Sequence, residues 1–264
     1  DHLSTCKSPH EMEGAIIKSY YAQKHGIDPA KITVVSIMPC TAKKFEATRE
    51  ELSNRSLQDV DYVLTTRELA RMIREAGIDF RNLPDSPFDS PIGEGTGAAA
   101  IFGTTGGVAE AALRTVFDLV AGRDLDKVDF KEVRGLDGVR EAELELPNGR
   151  VIRTAVVHGL GEARKVMNRI QAGENHYDFI EVMACPGGCV NGGGQPIVNA
   201  KTRAAVDVRR ERAKALYEED RSLPIRKSHQ NPYIQQLYEE FLGQPNSERA
   251  HELLHTHYVR RAKF

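Results

Sequence analysis

The spacing of apolar positions predicts alternating helices and strands. Ser8-Pro9-His10-Glu11 reads as a helix start, with Ser8 as N-cap, Pro9 at the first helical position and Glu11 closing a capping box. The helix runs to about His25, with Gly26 as C-cap. Asp28-Pro29 makes a turn, and Ile32 to Met38 reads as a buried strand that delivers Pro39 and Cys40 at its carboxyl end, where α/β folds place ligands. A second strand, Asp61 to Leu64, feeds a helix opened by the capping box Thr65-Thr66-Arg67-Glu68 and closed at Gly77.

Between Leu83 and Gly97 the pattern breaks at Pro84, Pro87 and Pro91, which predicts a long ordered loop or a lobe boundary. A helix is expected from Thr105 to Ala121. Glu141 to Leu146 and Arg150 to His158 form a hairpin around a two-residue Asn148-Gly149 turn. Another helix, about Glu162 to Ala172, precedes a strand from Phe179 to Met183 that ends in Ala184-Cys185-Pro186-Gly187-Gly188-Cys189. Charged helices follow Ala200, then an extended Leu223 to Arg226 and helices at Pro232 to Leu242 and Ser247 to Tyr258.

The chain has 264 residues, 40% hydrophobic, enough for one large domain or two lobes. Its 36 Lys plus Arg balance 38 Asp plus Glu, so no basic field attracts nucleic acid. No apolar run approaches the roughly 20 residues of a membrane helix. Four cysteines, Cys6, Cys40, Cys185 and Cys189, are too few for a disulfide scaffold and fit a reduced, cytoplasmic setting. A cysteine loop after a strand in each half suggests that both lobes offer thiolates to one cofactor.

Two other motifs are weaker. Gly95-Thr96-Gly97-Ala98-Ala99-Ala100 matches a dinucleotide fingerprint but lacks the required preceding strand, so close backbone approach is the simpler reading. His251-Glu252-Leu253-Leu254-His255 matches the zincin pattern but lacks an evident third ligand and fits an ordinary amphipathic helix. By contrast, five glycines lie between and after Cys185 and Cys189, letting the backbone curl around a bulky inorganic centre.

Met38-Pro39-Cys40-Thr41-Ala42-Lys43-Lys44-Phe45-Glu46 and Glu181 through Cys189 to Gly192, Gly194, Gln195 and Pro196 resemble two signatures of the iron-only, or FeFe, hydrogenases. The resemblance extends over essentially the whole chain, through Thr65 to Ala70, Ala100 to Gly107, Arg226 to His229 and Arg249 to Glu252, which makes the zincin match a coincidence. It implies an α/β fold of two lobes with small, mainly parallel sheets flanked by helices, a cofactor in the cleft between them and a helical C-terminal tail. The Cys40 lobe is expected over roughly 1–95, the Cys185/Cys189 lobe over roughly 96–205 and a wrapping tail over roughly 206–264.

The implied cofactor is the H-cluster, a 4Fe-4S cubane joined to a two-iron subsite with CO, cyanide and a bridging dithiolate. The metal ligands implied are Cys40 and Cys185 on the cubane, with Cys189 bridging to the subsite. Lys43 would face a cyanide with Glu46 holding it, Met38, Met183 and Phe102 would wall off water, and Gly103 would let the backbone approach a diatomic ligand. Ser4 aligns with a serine of the family's proton relay, Ser8 and Pro9 line the same region, and Pro39 accompanies Cys40. The chain departs from the family pattern at His10, where relatives commonly carry Gln. The family's first cysteine signature, which supplies the remaining cubane ligand and a proton-delivering thiol, lies upstream of Asp1; Cys6 aligns with a non-ligand position.

The expected activity is reversible H2 oxidation and proton reduction, with electrons exchanged with ferredoxin or an iron–sulfur domain or subunit, and the upstream part of the domain as a further partner. No nucleic acid or membrane insertion is expected. A non-catalytic hydrogenase-like iron–sulfur protein, an assembly factor or H2 sensor, is the alternative; Lys43, Glu46 and Met38 argue against it.

Overall fold

The computed structural model describes residues 2–54 and 56–260, which fall into two compact units. The first holds the residues up to Glu94, Gly193–Pro196 and the chain from Pro232 on; the second holds Gly95–Gly192 and Ile197–Asn231. The segment after 206 is thus divided between them. Among the described residues no helix is long and apolar enough to cross a membrane.

In the first unit the opening helix runs over Pro9–Ile16, a π-helical turn Ile17–Tyr21 and Ala22–His25, and stops at Gly26, whose φ of 62° only glycine adopts readily. The expected capping box is absent. Ser8 occupies the N-cap position but its hydroxyl makes no cap bond, donating instead to Glu46 Oε2 at 3.0 Å. β1 (Val35–Met38) is shorter and more open than the buried strand expected from Ile32, with Val35 49% and Ile37 42% exposed. Among the described residues its sheet has one other strand, and Val35 and Ile37 stay open on it. After β2 (Ser53–Asn54) and β3 (Leu57–Gln58), which pair antiparallel, comes β4 (Tyr62–Thr65), parallel to β1 with Met38 opposite Thr65. Thr65 closes a complete capping box with Glu68 on the helix Thr66–Glu75.

The C-terminal segment completes this unit. Leu237, Leu242, Ala250 and Leu253 pack with Ile16 of the opening helix, joined by Tyr20 and Ile92. The last helix, Glu248–Leu254, ends before Tyr258 because the chain is captured by the N-terminal segment: Lys7 N–H donates to Leu254 O, Thr256 N–H to Thr5 O, and Cys6 bridges His255. The His251 and His255 rings stack in parallel with centroids 4.3 Å apart, a contact that does not splay two nitrogens around an ion.

In the second unit Gly97–Ala100 is a short helix capped by Thr96, with no strand before it. A Cβ at Gly97 would stand 2.1 Å from Asp220 Oδ1, so close packing rather than nucleotide binding explains this glycine. The 3₁₀ turn Ile101–Gly103 leads to the helix Gly107–Ala121, then β5 (Val139–Glu145) and β6 (Val151–His158) in antiparallel register. Leu146 N–H donates to Arg150 O, so the turn holds Pro147, Asn148 and Gly149, one residue more than expected. The helix Leu160–Gln171 precedes β7 (Phe179–Met183), which pairs parallel with β6 and ends with Met183 opposite His158.

The helix Val208–Ser222 is tied to this unit by charge. Arg114, fully buried, donates to both carboxylate oxygens of Asp220 at 2.7 and 2.9 Å and to Glu110 at 2.9 Å. Removing one partner of such a network strands the others in a medium that solvates them poorly. Arg114→Met is therefore expected to lower the unfolding free energy by about 3 to 5 kcal/mol in urea titrations. A loss below about 1 kcal/mol would show that the network contributes little.

Candidate metal centre

Each unit presents a cysteine loop directly after a parallel strand. In the first, β1 ends at Met38, and Pro39, Cys40 and Thr41 lead into the one-turn helix Ala42–Glu46. The loop is held from outside by Gly194. Its N–H donates to Pro39 O at 2.9 Å, and its carbonyl accepts from Arg67 N–H at 3.2 Å. A Cβ at Gly194 would lie 2.8 Å from Pro39 C and 2.9 Å from Cys40 N, so only glycine permits this approach. Cys40 is half-buried, and Met38 packs against Ala47, Val60 and Val63.

Glu46 organises the polar side of this loop. Its Oε2 accepts from Lys43 Nζ, one helical turn earlier, from Ser8 Oγ and, at 2.9 Å, from His10 Nε2. Burial pushes the Glu46 carboxyl up, but these hydrogen bonds and the Lys43 charge outweigh it and hold the group at about 2. Lys43, three residues after Cys40 in the chain, is thereby held by Glu46. Ser4 stands apart from the Glu46 cluster, with its hydroxyl accepting from Cys6 N–H and its carbonyl from Tyr258 OH.

In the second unit, β7 ends at Met183 and the chain curls through Cys185-Pro186-Gly187-Gly188-Cys189. Gly188 N–H donates to Cys185 O at 2.9 Å, and Gly187 O accepts from Thr105 N–H at 3.1 Å. Gly188 has φ 94°, and a Cβ there would stand 2.6 Å from Thr105 N and 3.0 Å from Gly103 O. Both the conformation and the space demand glycine. Phe102 and Gly103 thus lie on the turn that backs this loop. Cys185 and Cys189 are half-buried, and no cysteine forms a disulfide.

The structure also brings in a residue to which the sequence reading gave no role. Glu181, buried on β7, accepts from Gly106 N–H at 2.6 Å and Ala109 N–H at 2.8 Å. Together with the Thr105 bond to the cysteine loop, this delays the helix expected from Thr105 until Gly107. Burial raises the Glu181 carboxyl despite those bonds. A charged residue within an otherwise apolar strand was the available signal.

Each loop by itself has residue types that suit thiolate ligation of an iron–sulfur group. The thiols are unbridged and partly accessible, their loops are backed by glycines that bring backbone close, and Lys43 offers a fixed cation for an anionic ligand. One consequence is measurable without any cluster. A carboxyl whose folded value lies below its unfolded one stabilises fully above the ordinary range near 4.5 and loses that contribution as pH falls toward about 2. Glu46→Gln is therefore expected to flatten the acid limb of stability, with a loss of about 2 kcal/mol at pH 7 that shrinks toward pH 2. Equal acid sensitivity of parent and variant in denaturant titrations would refute this.

Residues 1–193 match the family described as iron only hydrogenase large subunit, C-terminal domain, and residues 206–261 match iron hydrogenase small subunit. The NADP-reducing hydrogenase subunit HndD of Solidesulfovibrio fructosivorans is 53% identical over 100% of this chain and 44% of its own length. Protein NAR1 of Arabidopsis thaliana is 33% identical over 97% of the chain and 56% of its own. The chain thus spans about half the length of these relatives. A solved structure of a variant of the FeFe-hydrogenase HydA1 from Chlamydomonas reinhardtii superposes with a TM-score of 0.80 at 42% identity, covering 98% of this chain and 70% of that one. With its α/β units, paired cysteine loops and matching sequence over most of its length, the chain belongs to the iron-only hydrogenase large-subunit family.

Proposed function

We propose that this chain is the larger part of an FeFe hydrogenase catalytic domain, interconverting H2 with protons and electrons. The observation that carries the reading is Lys43, fixed by Glu46 immediately after the Cys40 loop, in a chain whose second cysteine loop is backed by Gly188. A structural iron–sulfur site needs the thiolates; a held ammonium beside them is suited to an anionic ligand of a catalytic centre.

In this reading Cys40 and Cys185 would hold a 4Fe-4S cubane, and Cys189 would be the ligand shared with a two-iron subsite of CO, cyanide and dithiolate type. When bound, that group supplies electron storage and the cleavage or formation of H2. The protein supplies position and environment. Lys43 donates to a cyanide, and Glu46 keeps its ammonium charged and aimed. Met38, Met183 and Phe102 exclude water, while Gly103 leaves room for a diatomic ligand. Pro39 fixes the Cys40 turn through its carbonyl bond to Gly194. Ser8 and Pro9 line the Glu46 side, and Ser4 carries protons outward. The Cys40 part, the Cys185/Cys189 part and the tail act as one catalytic domain.

A cubane takes four ligands, and three come from Cys40, Cys185 and Cys189. The fourth, with the thiol that delivers protons, comes from upstream sequence on the same or another chain. Electrons come from ferredoxin or an iron–sulfur domain or subunit, in the cytoplasm. The second reading is a non-catalytic assembly protein, favoured by the 33% identity over 97% of this chain to the cytosolic iron-sulfur assembly component 3 of Mus musculus. It has no use for the Lys43–Glu46 pair.

Three outcomes test the proposal. Produced with hydrogenase maturation machinery, the chain binds a full complement of iron and evolves H2 only when upstream sequence is supplied. Strong activity from residues 1 to 264 alone, lost on Cys6→Ala, would make Cys6 the fourth ligand instead. Cys189→Ser abolishes H2 turnover while keeping cubane absorbance, whereas loss of both together would deny it the bridging role. Lys43→Asn lowers H2 evolution by about 10- to 100-fold through weaker retention of the subsite. Full activity of that variant would remove Lys43 from the site.

A further inference from the structure

Beside the Lys43–Glu46 pair lies a group that the proposed chemistry does not use. Glu11, on the first turn of the opening helix, is fully buried, and neither of its carboxylate oxygens has a hydrogen-bond partner. The His10 ring is almost as buried, with Nε2 3.3 Å from Glu11 Oε1 and 2.9 Å from Glu46 Oε2. Its Nδ1 lies 2.9 Å from Ser36 Oγ on β1. A buried carboxylate without donors is costly, and relief comes from neutralising it or placing a cation against it.

Two small cations could do this. His10, Glu11 and Glu46 each bring a ligand atom within 4.8 Å of the others, the spacing of a divalent metal site. Yet Glu46 Oε2 already accepts from Lys43 Nζ and Ser8 Oγ, so a divalent ion there would compete with an ammonium for the same oxygen. A proton needs no such displacement.

We propose that His10 and Glu11 form a buried proton-holding pair, sharing one exchangeable proton between the imidazole and the Glu11 carboxyl, within direct reach of Glu46. Moving the proton from His10 to Glu11 converts imidazolium and carboxylate into imidazole and carboxylic acid, with no other bond or electron involved. In the first state Glu46 faces two cations, Lys43 and His10; in the second it faces Lys43 alone. The pair therefore both stores a proton and sets how tightly Glu46 holds Lys43. Its use in turnover rests on the hydrogenase reading; its existence does not.

The surrounding charges agree. Facing Glu11 are Glu46 and Lys43 on the helix after β1, and Lys7 with Asp59, which are joined at 2.6 Å. Burial first, then the Glu46 and Asp59 charges, push the Glu11 carboxyl up to about 7 against the pull of Lys43 and Lys7. A group that titrates there holds and releases a proton at neutral pH.

The test uses the full chain as purified, with and without cluster loading. Infrared difference spectra in D2O should show a protonated-carboxyl C=O band that titrates near pH 7. Glu11→Gln removes the band; His10→Gln keeps the band but moves its midpoint upward, since no imidazolium remains to favour the carboxylate. Absence of the band from the parent chain, its survival in Glu11→Gln, or an unchanged midpoint in His10→Gln would each overturn the proposal. So would micromolar zinc binding that depends on Glu11, because the site would then hold a metal. In the loaded enzyme, Glu11→Gln should remove the limb of the H2-evolution pH profile near neutrality. A parent chain loaded together with its upstream sequence that is inactive yet still shows the titrating band would count against the hydrogenase reading and leave the pair standing.

Discussion

Two backbone approaches, each too close for any side chain, set the local geometry on which the site depends. At Gly194 the same residue donates to Pro39 O and accepts from Arg67 N–H, so the end of β1 and the first turn of the helix after β4 are fastened to one point. At Gly188 the cysteine loop lies against Thr105, and Glu181 beneath it binds the next N–H groups of the helix Gly107–Ala121. In both units the thiol-bearing loop is therefore referenced to a helix start as well as to its strand. A loop fixed from two sides keeps its cysteines in place without needing the metal to order it.

Local signals made much of this legible. The Thr65/Glu68 capping box, the Gly26 stop and the span of β7 follow from interactions between near neighbours, and the structure has them where the pattern placed them. What failed depended on distant residues. The strand expected from Ile32 is a buried-looking apolar run, yet its sheet has two strands and leaves Val35 and Ile37 open. The final helix stops early because the N-terminal segment competes for its last groups, which no window around Leu254 could reveal. At the site, the residue types of the cysteine loops and the Lys43–Glu46 spacing could be read. The role of Glu181 and the isolation of Glu11 could not, since both are defined by what surrounds them.

Buried carboxylates in this protein show how far environment overrides identity. Glu46 collects three side-chain donors and is held at about 2, whereas Glu11, within reach of the same histidine, collects none and rises to about 7. Both feel desolvation. The difference lies in the donors that Glu46 collects and in the Glu46 and Asp59 charges that face Glu11, so the two glutamates acquire opposite preferences for a proton. Glu181 is intermediate, raised by burial although two backbone N–H groups point at it.

The helix caps carry this argument one step further. Asp28, Thr65, Thr96, Asn199, Asp207 and Ser247 each accept a backbone N–H at the start of the helix they precede. Thr41, Asp79 and Ser8, in the same position and of equally suitable types, do not, and at Ser8 the competing partner is visible. Its hydroxyl is turned to Glu46, and the Glu11 that would complete its capping box is left buried and alone. Forgoing a cap costs about 1 kcal/mol, and burying an unpartnered carboxyl costs more. Two local rules give way within four residues, at groups that surround Glu46, the carboxylate that holds Lys43. Such departures are expected where function, rather than folding, selects the arrangement. The opening turn of this helix is therefore shaped by Glu46, on another element, as much as by its own sequence.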